Sequence, residues 1–207
     1  MASSNRSSGA FETQPLLQPL NELQGILFVA VVVISLPLNF RIIYIFVSRP
    51  AYRSLECYRI MTHIGLAQCL IAPGVLFQGV LKLIAYDPLN LASIAVMAFP
   101  PISRAEAILQ LVLALNRLKI ICQLRYSSTF HTILLVVAWT FGILFYASYF
   151  AFSSSYSISV SITEMLPTYD LSKPLSAVVR KLATTFYVVM SSATLAIYVV
   201  IIIYILY

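Results

Sequence analysis

The chain has 207 residues, of which 60% are hydrophobic and only 10% charged, with a formal net charge of +6 and a mean hydropathy of +0.92. Soluble domains carry about 25% charged residues, so this composition excludes a water-soluble enzyme or nucleic-acid-binding module and predicts an integral membrane protein. The basic residues flank apolar runs, so the excess of positive charge reads as membrane topology, with no nucleic-acid partner. The three cysteines, Cys57, Cys69 and Cys122, all fall in or beside apolar runs without a CxxC spacing, which argues against both a structural disulfide and a zinc site.

Residues 1–22 are polar and rich in Ser, Asn, Gln and Pro. They lack the charged-then-apolar pattern of a cleavable signal and read as a disordered extracellular tail. Asn5-Arg6-Ser7 matches the glycosylation sequon, a pattern short enough to occur by chance.

Residues 25–47 form a first predicted span, kinked at Pro37. A short basic loop follows, with Arg49, Arg53 and then Arg59, against only Arg6 in the preceding tail. This imbalance places the N-terminus outside and, with five spans, the C-terminus inside. Over the whole chain the bias is small. Arg41, Arg49, Arg53, Arg59, Arg117, Lys119 and Arg125 fall inside, and the remaining six basic residues outside.

Residues 57–84 are the second span, with Pro73-Gly74 near its middle and His63 and Gln68 at depth. Tyr86 to Asn90 is a predicted turn. Leu91 to Phe99 is apolar but too short to cross a membrane, and Pro100-Pro101 ends it, so it reads as a re-entrant or interfacial segment.

The third span, residues 102–122, is the unusual one. It carries Arg104, Glu106, Arg117 and Lys119, although each charge at bilayer depth costs about 3 kcal/mol on insertion scales. Helical spacing puts Glu106, Gln110, Leu113 and Arg117 on one face. A polar stripe on an apolar helix needs protein or water to face, so this helix is expected inside a bundle. Arg104 and Glu106 are two residues apart and do not face each other, which excludes an intrahelical pair.

Residues 131–152 form the fourth span, with the single tryptophan, Trp139, near its middle. The aromatic residues around its outer end (Tyr146, Tyr149, Phe150, Phe152 and Tyr156) read as an interfacial belt, with one or two of them candidates for ligand contact. A Ser-rich outer loop, residues 153–179, precedes Arg180-Lys181 and the fifth span, residues 182–207. The predicted fold is thus all-α, a polytopic membrane helix bundle occupying residues 23–207. No 20-to-50-residue repeat interrupts it.

No catalytic constellation is present: there is no G-x-S-x-G, no HExxH and no phosphate loop. The chain is therefore not read as an enzyme, and no cofactor or metal is expected. His63 and His131 read as interfacial or hydrogen-bonded core residues, with a metal or proton-relay role as the minor alternative. Glu106 and Gln110, with Arg104 beside them, are either a solvated helix end or the wall of a ligand pocket in which a few polar groups select a small molecule. Arg117 is either a snorkelling anchor or a switch, packed in the bundle when inactive and offered to a cytoplasmic partner when helices separate. Asn116 is a candidate to orient its guanidinium.

Two stretches carry a family resemblance. Glu56-Cys57-Tyr58-Arg59-Ile60-Met61-Thr62-His63-Ile64-Gly65-Leu66 opens the second span, and Leu113-Ala114-Leu115-Asn116-Arg117-Leu118-Lys119-Ile120-Ile121 closes the third. Together they resemble the nematode serpentine chemoreceptors of class T (the Srt group), within the seven-helix G-protein-coupled superfamily. The resemblance covers the chain from the first span to the fifth, and class X shares its Asn-Arg feature. It implies a rhodopsin-like architecture, a small-molecule ligand among the helices, a heterotrimeric G protein as partner, and the plasma or ciliary membrane of sensory cells as location. Asn116-Arg117-Leu118 would stand at the place of the acidic-Arg-aromatic motif of rhodopsin-like receptors. Three departures accompany it. Gln68 stands near the place of an aspartate, no cysteine lies at the outer end of the third helix, and five spans of seven are present, so the chain reads as truncated after the fifth helix. A reading from another class remains open, a small membrane transporter or channel subunit using Glu106, Gln110 and Arg117 as a path. A membrane enzyme ranks below both, for want of a nucleophile or metal cluster.

Overall fold

The computed structural model describes residues 14–84, 91–125, 127–155, 158–159 and 168–207. The sequon at Asn5 and the predicted turn at residues 86–90 lie outside them. The described residues form seven helices and one two-stranded ladder. The helices are α1 (Gln14–Ser48), α2 (Pro50–Arg53), α3 (Glu56–Ile84), α4 (Leu91–Met97), α5 (Phe99–Ile121), α6 (Ser128–Ala151) and α7 (Ser176–Leu206). The strands β1 (Ile158–Ser159) and β2 (Thr168–Tyr169) pair antiparallel, Ile158 opposite Tyr169, within the long Ser-rich connection. Five helices are long and apolar enough to cross a membrane. A spanning helix satisfies its own backbone hydrogen bonds, which hydrocarbon cannot do. The all-α polytopic bundle read from the apolar runs is the fold observed.

Three boundaries move. The first helix begins at Gln14, so residues 14–22 of the expected disordered tail are helical. Pro100 and Pro101 do not terminate structure; they sit in the first turn of α5, where a missing backbone N–H costs nothing because no helical partner exists for it. The fifth helix starts at Ser176, which places Arg180 and Lys181 inside its first turns rather than ahead of it.

Helix α5 is the centre. It packs against α3, α6 and α7, while α1 joins the bundle chiefly by running along α3. The core is built from Ile60 and Ala67 of α3, Ile108, Leu109 and Val112 of α5, and Leu135 and Ala138 of α6. In α1 and α7 only 6% of the most apolar stretch is buried, so these two form the edges of the bundle and offer their side chains to lipid. Small residues set a close crossing between α1 and α3. A Cβ on Gly25 would lie 2.9 Å from the Gly79 carbonyl oxygen, and one on Gly79 would lie 3.0 Å from that of Gly25. The α1 and α3 backbones therefore touch, the means by which helices gain contact where lipid removes the hydrophobic drive for association.

The end of α5 is closed by Gln123 at φ 52°. This left-handed turn lets the Leu124 N–H bond back to the Lys119 carbonyl at 3.0 Å, the bond of a Schellman cap. Helix α6 then starts on a conventional N-cap, with the Ser127 hydroxyl accepting the Thr129 N–H at 3.1 Å.

Candidate functional site

The charged residues of α5 sort into two groups, one towards its Phe99 end and one towards its Ile121 end. In the first group, Glu106 faces α3. Its Oε1 accepts the side-chain amide N–H of Gln68 at 3.1 Å and that of Gln110, one turn along, at 3.3 Å. Gln68 reaches it because α3 runs antiparallel beside α5. Among the described residues Glu106 has no ion-pair partner, so two neutral amides are what solvate its carboxylate. It borders a cavity of about 330 Å³ between α1, α3 and α5, whose polar lining is Ser35, Asn39, Gln68, Ser103 and Glu106 itself. Gln110 lines a second cavity, of about 250 Å³, between α5 and α7, with Ser191, Thr194 and Tyr198. Glu106 and Gln110 thus join two cavities on neighbouring sides of one helix. A volume of this size with a few convergent polar groups is the setting in which proteins hold small molecules.

Arg104 does not belong to that arrangement, although it was grouped with Glu106 and Gln110. Its side chain turns to the opposite side of α5 and is almost fully buried, 2% exposed. One guanidinium N–H donates to the Tyr169 hydroxyl of β2 at 2.7 Å. The guanidinium carbon lies 3.9 Å from the Phe145 ring centre and 6.0 Å from that of Tyr187. The Tyr169 and Tyr149 hydroxyls lie 3.2 Å apart. This aromatic box solvates the cation through ring faces and phenol oxygens. Among the described residues Arg104 Nη1 has no hydrogen-bond partner. Tyr149, expected in an interfacial belt, is instead a buried member of this box, 5% exposed. A sequence gives no signal for such a site, because its members are drawn from α5, α6, β2 and α7.

At the other end of α5 the organising residue is Glu56, the first residue of α3. Its Oε2 accepts Asn116 Nδ2 at 3.0 Å and Lys119 Nζ at 3.3 Å, and its Oε1 lies 3.0 Å from His131 Nδ1 and 3.9 Å from Arg59. One carboxylate thus ties α3, α5 and α6 together. Asn116 and His131 are fully buried. Asn116 is therefore committed to Glu56 and does not orient Arg117 as expected. Arg117 turns instead to α7, where its guanidinium donates to the Tyr198 hydroxyl at 3.3 Å and lies 5.8 Å from that ring's centre. Among the described residues Arg117 makes no ion pair.

The two histidines are both hydrogen-bonded inside the bundle. His131 serves Glu56, and His63 Nδ1 accepts the Trp139 indole N–H at 3.2 Å, linking α3 to α6. Among the described residues no cluster of three or more His, Cys, Asp or Glu side chains could hold a metal ion, and the three cysteines are free thiols.

In comparisons with protein-family models, curated proteins and solved structures, nothing matches this chain.

Proposed function

We propose that the chain works as a chemosensory receptor of the serpentine, G-protein-coupled type, or a shortened relative of one. The N-terminus lies outside, and a small molecule binds among the helices against Glu106 and Gln110. The reading rests on the resemblance in residues 56–66 and 113–121. The observation that carries it furthest is the contrast between two cations near the Ile121 end of α5. Lys119 is ion-paired to Glu56. Arg117, on the same helix, is held among the described residues by a neutral phenol of α7. A hydrogen bond of this kind contributes about 1–2 kcal/mol net. That is small enough for a ligand-driven separation of α5 and α7 to break, and the released guanidinium keeps its charge and its fork of donors for a cytoplasmic partner. The cavity that touches Gln110 also touches Tyr198, so a ligand there acts on the latch itself.

The test is basal G-protein nucleotide exchange in reconstituted membranes at matched protein density. Tyr198→Phe deletes the latch and is expected to raise basal exchange about fivefold to thirtyfold, the equivalent of the lost bond. Arg117→Ala is expected to abolish it. Unchanged exchange in both variants, with wild-type insertion, would overturn the switch and leave the transporter reading, which predicts solute flux lost on Glu106→Gln.

A further inference from the structure

The end of the bundle at which Glu56 lies carries two grooves that the receptor reading does not use. One, of about 320 Å³, opens between α1, α2 and α3 and is lined by Phe46, Val47, Arg53, Arg59, Thr62 and His63. The other, of about 310 Å³, opens between α3 and α6 and shares Arg59 and His63 with the first. Arg59 therefore forms the wall between them.

The charge here is unbalanced. From residue 41 to residue 59 the chain has four arginines (Arg41, Arg49, Arg53 and Arg59) and one acid, Glu56. That acid is already occupied by Asn116, Lys119 and His131, and is only 3.9 Å from Arg59 at its nearest. Arg53 makes no ion pair among the described residues. Arg59 donates one N–H to Thr132 at 3.1 Å and has further donors to give. His63 adds another. Its Nδ1 accepts from Trp139, so the neutral ring carries its hydrogen on Nε2. Level matters as well. The grooves sit where α1 ends at Ser48 and α3 begins at Glu56, the depth at which a spanning helix leaves hydrocarbon for headgroups. Below the arginines the walls turn apolar, through Phe46 and Val47 on one side and Leu135, Val136 and Ile143 on the other.

We propose that this end of the bundle is a binding site for an anionic phospholipid. Arg53 and Arg59 grip the headgroup phosphate in the first groove, and an acyl chain runs down beside Phe46 and Val47. Arginine matches a phosphate through two parallel N–H donors, and an apolar wall directly below fits the rest of a lipid but not a free ion. The proposal does not depend on what the cavities beside Glu106 and Gln110 hold.

The test is native mass spectrometry of the full chain released from nanodiscs of mixed phosphatidylcholine and phosphatidylserine. The wild-type chain is expected to retain phosphatidylserine over phosphatidylcholine. Arg53→Gln should reduce that retention about fivefold and the Arg53→Gln/Arg59→Gln pair roughly twentyfold, at about 1 kcal/mol per basic residue. Lys181→Gln, in the first turns of α7 at the other end of the bundle, should leave it unchanged. The Arg53 side chain makes no hydrogen bond or ion pair among the described residues, so its variant folds as the parent does and decides the matter if the pair does not fold. Equal retention of both lipids, retention untouched by Arg53→Gln, or displacement of the lipid by millimolar inorganic phosphate would each overturn the proposal.

Discussion

Glu56 at the start of α3 and Asn116 near the end of α5, sixty residues apart in the chain, are joined by a hydrogen bond of 3.0 Å. Asn116 is fully buried, and the same carboxylate also takes Lys119 and His131. Removing the acid would take a partner from a buried amide, a buried imidazole and a lysine at once. Glu56→Ala is expected to lower stability by about 2–4 kcal/mol, seen as a lower thermal midpoint in a fixed detergent. Glu56→Gln keeps an acceptor for Asn116 and should lose about half as much. Equal losses would mean that the charge carries the whole effect and the neutral acceptor none of it.

Glu106 answers to the opposite logic. Its carboxylate is solvated by two amides and by no cation among the described residues. Glu106→Gln removes a charge from bilayer depth and leaves an oxygen to accept from Gln68. It should therefore raise the thermal midpoint, by the equivalent of about 1 kcal/mol. Glu106→Leu leaves Gln68 and Gln110 without their acceptor and should give back that gain, at about 1–3 kcal/mol. A Gln variant less stable than the Leu variant would contradict this account.

The Tyr169 hydroxyl accepts a hydrogen bond of 2.7 Å from the buried Arg104 guanidinium. Tyr169→Phe keeps the ring and deletes that acceptor. A loss of about 1.5–3 kcal/mol is expected, the cost of a missing bond to a charged group. Thermal unfolding reads it, and a change below a few tenths would show that the box of rings alone solvates the arginine.

The α1–α3 crossing tolerates no side chain. Gly79→Leu must push the Gly25 carbonyl away and is expected to cost about 1–3 kcal/mol or more by overpacking. A cysteine pair engineered across α1 and α3 should cross-link in the parent and not in the Leu variant. In contrast, Gln123→Gly relieves a left-handed residue in the α5 cap and should stabilise by up to about 1 kcal/mol.

Much of the fold was legible in the residues. Five apolar runs of sufficient length became the five long helices, because in lipid a long apolar segment has no other way to satisfy its backbone. The excess of ionisable groups in residues 102–122 marked α5 as the interior helix for the same reason. Boundaries were less legible. Pro100-Pro101 signals either a stop or a first turn, and only the neighbouring α4 decides which. The polar N-terminal stretch gave no sign that residues 14–22 extend α1.

Periodicity also separated Arg104 from Glu106, since residues two apart on a helix point in different directions. It could not name what each would meet. Glu106 meets Gln68, and Arg104 meets Tyr169 and Phe145, because α3 packs on one side of α5 while α6, α7 and β2 pack on another. The same holds for Asn116 and Arg117. They are adjacent in sequence, but one is tied to Glu56 of α3 and the other to Tyr198 of α7. A charged residue's type and depth are properties of its own helix, and these the sequence by itself determined. Its partner is a property of which helices lie beside it, and that only the tertiary structure decided.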